Sequence, residues 1–425
     1  MKRLTKYFSL ALLLCLSTQS MLAQTQYGWR GPHRDGKYDE TGLLKQWPQG
    51  GPQLLWENLE IGKGYSSPVI VDDALYITGM DQNESQEVFY AMNLDGKIKY
   101  ATPYSTPWTK SYPETRTTPA IENGKAYLIS GSGDVVCIQI SDGSIVWKVE
   151  GDRLFGRKTG NWGTAECPLI YDDKIVFMPG GDETTMVALS KADGSVLWKS
   201  ESMHEQSNYT SPLLLTHNGH RLIVSVTQNN VIGVDPDNGH ILWKFNDWGR
   251  NAEDRNRGFE SIAPNTPIYK DDQVFISNGY NMGAMMLKLS DDASSVSLVW
   301  KNDDLDTHHG HQILLDGVVY GSNWINNTSG NWVAVDWNTG KTLWENTWSG
   351  GKSKGSIIYC DGMLYTYDER RGFVGLVKPS REKFDVVSEF RVTKGSGPNW
   401  AHPVINNGVL YIRHGEYLAA FSIKQ

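Results

Sequence analysis

Short apolar runs separated by polar turns recur along the chain, and the same local pattern returns at each step. A two-residue turn, a few β-formers and then Trp, often followed by Lys or Glu, make the signature. It reads Asp142-Gly143 before Ile145-Val146-Trp147-Lys148, and Asp193-Gly194 before Val196-Leu197-Trp198-Lys199. It returns as Asn238-Gly239 before Trp243 and as Thr339-Gly340 before Trp344. Val299-Trp300-Lys301 keeps the strand with a degraded turn, and Asp95-Gly96 keeps the turn with Tyr100 in place of Trp. Asp-Gly and Asn-Gly suit tight hairpins because both positions tolerate positive φ. Each copy opens on an apolar strand, usually with Pro, as in Ser67-Pro68-Val69-Ile70 or His402-Pro403-Val404-Ile405. Four short strands in a unit of about 45 residues is the arithmetic of a β-propeller.

Units begin near residues 66, 117, 166, 210, 265, 309, 354 and 401, and the eighth ends at Gln425 one strand short. Residues 53–58, with Leu54-Leu55-Trp56-Glu57, have the missing Trp-ending form. The expected fold is therefore all-β, an eight-bladed propeller whose ring is closed by an N-terminal strand. Closure of that kind hides two open β-edges. Trp147, Trp198, Trp243, Trp300 and Trp344 recur at the blade period and are expected to pack between blades.

The first 23 residues change the picture of where the chain works. Lys2, Arg3 and Lys6 precede an apolar run from Phe8 to Leu16 and a small residue at Ala23, which reads as a secretory signal peptide, 1–23. Residues 24–425 are then expected to form one propeller. Leu14 before Cys15 argues against a lipoprotein anchor, and no later segment approaches the roughly 20 apolar residues of a membrane span. A periplasmic or secreted monomer is the expectation. Loss of the three basic residues moves the net charge from -8 to -11, the wrong sign for a general nucleic-acid binder. Cys137, Cys167 and Cys360 form no CxxC and no adjacent pair, so no disulfide framework is expected.

The Thr-Gly or Asp-Gly turn before a Leu-Trp strand resembles the pyrroloquinoline-quinone-like (PQQ-like) repeat over nearly all of residues 24–425. A narrower likeness lies in Trp29-Arg30-Gly31-Pro32, Arg34-Asp35-Gly36, Pro179-Gly180-Gly181, His308-His309-Gly310-His311, Lys354-Gly355-Ser356 and Arg413-His414-Gly415. These look like the secreted PQQ-binding-like propellers of Bacteroidota and Planctomycetota, a family with no settled activity. The resemblance implies that the ligand side is built by the loops into each innermost strand and the loops joining second and third strands. The first set would supply Arg116, Trp162, Glu166, Asn265, His308, His309, His311, Lys354, Trp400 and His402. The second would supply Asn323, Trp324, Asp368, Arg370, Arg371, Arg413 and His414. Five of the ten histidines fall there.

Within this set, Glu166, His309, His311 and His402 are the catalytic candidates. His309 and His311 are spaced i and i+2, so on a strand both would face one side. With Glu166 or His402 they are candidate metal ligands. Arg116, Lys354 and Arg413 suit either ion pairs with Glu166 or Asp368, or recognition of an anion. Three functions follow. A dehydrogenase using PQQ and Ca²⁺ fits the resemblance but lacks the adjacent cysteine pair of those enzymes, and no CxxCH haem site is present. A non-catalytic scaffold of the outer-membrane β-barrel assembly type fits the repeat but leaves the histidines unexplained. A carbohydrate-active lyase or hydrolase would use Trp and Tyr faces with Arg, Lys and His. The reading that absorbs most residues is an exported propeller that binds a small polar, anionic ligand at its mouth.

Overall fold

The computed structural model describes residues 27–248 and 262–425, so the expected signal peptide lies outside the described residues. Eight antiparallel sheets follow one another in sequence order. Blade 1 spans 69–105, blade 2 120–149, blade 3 169–199, blade 4 213–245, blade 5 268–302, blade 6 313–346 and blade 7 355–391. Blade 8 holds Val404–Asn406, Val409–His414 and Tyr417–Ser422, and its fourth strand is Gln53–Asn58. Trp56 stands opposite Ala420 and Asn58 opposite Leu418, so the N-terminal strand closes the ring. The second and third strands of each blade are mostly apolar and buried because neighbouring blades cover both faces, with polar residues gathered mainly at their ends. Ala74–Met80 is buried at every position.

One contact explains why the repeat has its form. The indole N–H of the outer-strand Trp donates to a backbone carbonyl of the next blade, just before that blade's turn glycine. Trp56 reaches Leu94 at 2.6 Å, Trp147 Lys191 at 3.2 Å, Trp198 Pro236 at 3.0 Å and Trp300 Trp337 at 3.0 Å. Tyr100, standing for Trp, makes the same bond through its hydroxyl to Ile140 at 2.7 Å. The glycine then lies flat against the ring: a Cβ on Gly194 would meet Trp147 at 2.8 Å, and one on Gly340 would meet Trp300 at 2.5 Å. Blade 5 tests the rule. Its turn carries Ala293 at positive φ instead of Gly, and Trp243, which packs in the same cluster, is the outer-strand indole whose N–H finds no acceptor among the described residues.

The segment before the closing strand has its own role. Tyr27 bridges to Ile121 of blade 2, and Arg34 donates to the Pro168 carbonyl beside blade 3 at 3.1 Å. Arg30 donates to the Gln312 carbonyl beside blade 6 at 2.6 Å, and Lys37–Tyr38 adds a parallel strand to blade 7 at Tyr359 and Cys360. Residues 27–38 thus touch the inner ends of four blades across the channel. Side chains with this many cross-ring bonds turn a through-channel into two separate recesses.

The latch makes a stability prediction. Gly194 and Gly219 both have positive φ, but a Cβ on Gly219 would meet nothing. Gly219→Ala should cost about 1–2 kcal/mol, the strain of the left-handed conformation. Gly194→Ala should cost about 1–3 kcal/mol more, because its methyl must also displace an indole. Urea unfolding of both variants checks this, and equal losses would mean the glycine–Trp contact is not tight.

Candidate functional site

Loops converge on one end of the channel around a cavity of about 240 Å³. Its wall combines Tyr65, Tyr112, Arg116, Trp162, Tyr209, Tyr280, His308, His309, His311 and Trp400, with Trp29 from the crossing segment. These residues come from loops leading into blades 1, 2, 3, 4, 6 and 8 and from one loop of blade 5, so the cavity sits where the ring's inner loops meet. Trp400 packs among Tyr65, Tyr112 and His309, with ring centroids 4.9, 5.0 and 4.5 Å away. Trp29 packs edge-on against His311 and His402 at 5.1 and 4.7 Å.

The histidine loop is held by backbone chemistry. Asn265 donates to the Thr307 carbonyl at 2.7 Å and accepts from the His311 N–H at 3.2 Å. Gly310 permits the loop to lie on blade 7, since a Cβ there would stand 1.9 Å from the Gly355 carbonyl oxygen. His311 has φ +57°, so the stretch is not extended, and the i, i+2 geometry expected of His309 and His311 does not form. Instead the His309 carbonyl accepts from His402 Nε2 at 3.0 Å and faces His311 Nδ1 at 3.3 Å. Burial pushes the imidazoles of His308 and His402 down to about 3, and those of His309 and His311 well below the usual value. All four are neutral at pH 7.

Of the remaining expected residues, Arg116 and Trp162 line the cavity, while others are committed elsewhere. Lys354, fully buried, pairs with Glu369 at 2.7 Å and donates to the Asn326 carbonyl at 2.8 Å, so its partner is neither Glu166 nor Asp368. The Arg413 guanidinium is spent on Ser66, Thr78, Gly62 and Gly415, mostly their carbonyls, as a structural tie between blades 8 and 1. Asp368 accepts the Arg371 N–H of its own turn and the Ser353 N–H of the loop into blade 7, and His414 lies between the Lys394 and Gly397 carbonyls. Glu166 is buried, with Oε1 accepting from the Met178 N–H at 2.7 Å. Among the described residues the metal-capable donors that do come together, within 4.8 Å, are His308, His309 and Glu369, without His311 or Glu166.

Sequence reasoning missed Glu369, Trp29 and the four tyrosines. Tyr280 lies in the loop between Gln273–Asn278 and Gly283–Leu289, the same kind of second-to-third loop that was read in blades 6 to 8, so that rule extended to blade 5 finds it. Glu369 is the neighbour of Asp368. Backbone direction decides which of two adjacent carboxylates turns inward, and composition does not encode it.

The donor set can be tested against the cofactor the fold suggests. PQQ presents three carboxylates on a flat ring system, and among the described residues that line the cavity Arg116 is the one lysine or arginine. Lys354 and Arg413 already have their partners. Calcium takes six to eight oxygen ligands, whereas this wall offers mainly ring nitrogens and aromatic faces. The described residues do not fit PQQ with Ca²⁺.

Glu166 gives a pH prediction. Burial pushes its carboxyl up to about 8, with the Met178 N–H and Arg157 only partly opposing, so the folded chain keeps a proton that the unfolded chain loses near 4.5. The Glu166 contribution to stability should therefore fall as pH rises toward 8. The four buried histidines, neutral in the fold but titrating near pH 6.5 when unfolded, add a slope of opposite sign up to about pH 7.5, which wild type and variant share and which cancels in their comparison. Glu87, pushed up to about 7 by burial, contributes with the sign of Glu166 below that pH. Glu166→Gln should flatten the decline between pH 6.5 and 8.5 and raise Tm at pH 8 by a few degrees. Thermal melts across that range decide it, and an unchanged slope would place the Glu166 carboxylate in an ionised state.

Comparison with known proteins places this architecture. A PQQ-repeat family model described as outer membrane protein assembly factor BamB matches residues 105–346. The chain is 24% identical over 200 residues to the outer membrane protein assembly factor BamB of Yersinia pestis, covering 46% of each, and so spans about half the length of the curated relative it matches. The crystal structure of BamB from Moraxella catarrhalis is similar with a TM-score of 0.64 at 15% identity, over 87% of this chain and 99% of that one. A quinohemoprotein alcohol dehydrogenase from Comamonas testosteroni gives 0.66 at 11% identity, over 92% and 79%. At these identities the solved structures share the fold. The family match runs through blades 2 to 6, whose turns and Trp strands the other blades repeat, and the chain belongs to the PQQ-like β-propeller family.

Proposed function

We propose that this protein is an exported receptor for a small anionic molecule bearing a ring face, with acidic sugars as the ligand class. The observation that carries the reading is the pairing of Arg116 with an aromatic wall. Arg116 lines the cavity, Nη2 donates to the Ser111 carbonyl at 2.6 Å and to the Tyr112 carbonyl, and Nη1 has no acceptor among the described residues. Trp29 Nε1 is likewise without an acceptor. Both atoms can only donate, so the complement is an acceptor-rich ligand. Trp400, Trp162, Tyr65 and Tyr112 supply flat apolar faces of the kind that stack on sugar rings. A guanidinium with free donors favours a carboxylate over a neutral hydroxyl. The basic, apolar and small residues of 1–23 support export. Among the described residues no helix is long and apolar enough to cross a membrane.

The second reading, a factor in outer membrane protein assembly, draws on the similarity to BamB. It needs no occupied cavity, which separates the two. Isothermal titration and tryptophan fluorescence with a panel of uronic and aldonic acids beside their neutral parents test the proposal. Saturable binding of an acid is expected, weaker by 10- to 100-fold in Arg116→Ala, about the 1.5–3 kcal/mol of a charge-assisted hydrogen bond. Trp400→Ala should weaken acid and neutral sugar alike. Binding indifferent to both substitutions, or none by any acid, would remove this reading and favour the assembly factor.

A further inference from the structure

We infer that His308, His309 and Glu369 form a binding site for one divalent transition-metal ion, of the zinc and cobalt type, at the edge of the cavity. The three side chains come from two chain segments, the loop into blade 6 and the second-to-third loop of blade 7, and each offers one ligand atom within 4.8 Å of the others. His308 and Glu369 are buried, and His309 opens on the cavity. His308 Nδ1 lies 3.9 Å from Glu369 Oε2, too far for a hydrogen bond, and neither it nor His309 Nδ1 has a hydrogen-bond partner among the described residues. Two buried ring nitrogens without partners beside a buried carboxylate are costly unless something bridges them.

The surroundings have the features that ordered metal ligands need. Tyr280 Oη is 2.8 Å from His308 Nε2. With Nε2–H donating to that oxygen, Nδ1 presents its lone pair toward Glu369, the arrangement in which an outer partner sets a ligating tautomer. Lys354 holds Glu369 Oε1 at 2.7 Å, which leaves Oε2 as a single oxygen ligand. Two nitrogens and one carboxylate oxygen match borderline divalent ions rather than calcium or magnesium. Bonds of about 2.1 Å in a tetrahedron put ligand atoms about 3.4 Å apart, so binding draws the set inward by small rotamer changes. One carboxylate against a divalent ion and the Lys354 ammonium leaves net positive charge, and the remaining coordination positions open toward the cavity. The site stands without the acidic-sugar reading, since metal is measured with no sugar present.

The test uses the full chain after chelator treatment and dialysis, titrated with Co²⁺ by visible absorption and with Zn²⁺ by calorimetry. One equivalent per chain is expected, with d–d bands of a low-coordinate nitrogen and oxygen site. His309→Ala and Glu369→Gln should each lower affinity at least 100-fold, Tyr280→Phe about 10-fold, and His414→Ala should change nothing. Glu369→Gln leaves Lys354 without its anion and can unfold the chain. His309→Ala touches no ion pair, so with its fold verified by circular dichroism it decides the matter. No stoichiometric site in the wild-type chain, or undiminished affinity in His309→Ala, would overturn the assignment.

Discussion

The structure depends on how an outer-strand indole meets the next blade. Each blade alone is a small twisted sheet with two apolar faces, and it is stable only when both are covered. Six of the eight outer strands carry Trp and that of blade 1 carries Tyr100, because those side chains combine a broad apolar face with one polar tip; the outer strand of blade 7, Asp385–Arg391, has neither. The face covers the neighbour's turn glycine, and the tip satisfies a carbonyl that the hairpin leaves unpaired. The hydrogen bond is directional, so it sets the angle between blades as well as holding them. Blade 5, with Ala293 in place of Gly, leaves the Trp243 N–H without an acceptor among the described residues, whereas the glycine-free turn of blade 7 still accepts from Trp344 through the Ser380 carbonyl at 2.9 Å.

A ring built this way has a channel, and its use follows from what crosses it. Residues 27–38 tie blades 2, 3, 6 and 7 together by backbone and guanidinium bonds. On one side they leave a recess lined by Arg30, Arg34 and Lys37, and on the other the aromatic cavity floored by Trp29. The polarity of the second recess follows from this. Trp29 removes water from beside His311 and His402, and that desolvation holds both imidazoles neutral.

The fold was legible in the sequence because it is periodic. Asp-Gly turns and Trp strands recur, and the missing fourth strand of blade 8 pointed to Leu54-Leu55-Trp56-Glu57 by form alone. The candidate site was legible only in part. Arg116, Trp162, His308, His309, His311 and Trp400 were found because loop position in a propeller fixes which end of the channel a residue occupies. The pairings were not. Charge alone made Lys354 and Arg413 look like ligand-binding residues. Burial with Glu369 in one case, and three carbonyls of blade 1 and the loop into it in the other, decided otherwise. His309 and His311 failed as a strand pair because Gly310 and a left-handed His311 turn the backbone between them. Such turns depend on the approach of another blade, which no local pattern records.

The central claim is that this aromatic, histidine-rich end of the channel is where the protein meets its ligand. A crystal structure of the chain grown with a saturating uronic acid tests it most directly. The account predicts a sugar ring lying against Trp400 or Trp162 with its carboxylate on Arg116. A sugar bound in the opposite recess, or on the outer face of the blades, would contradict it.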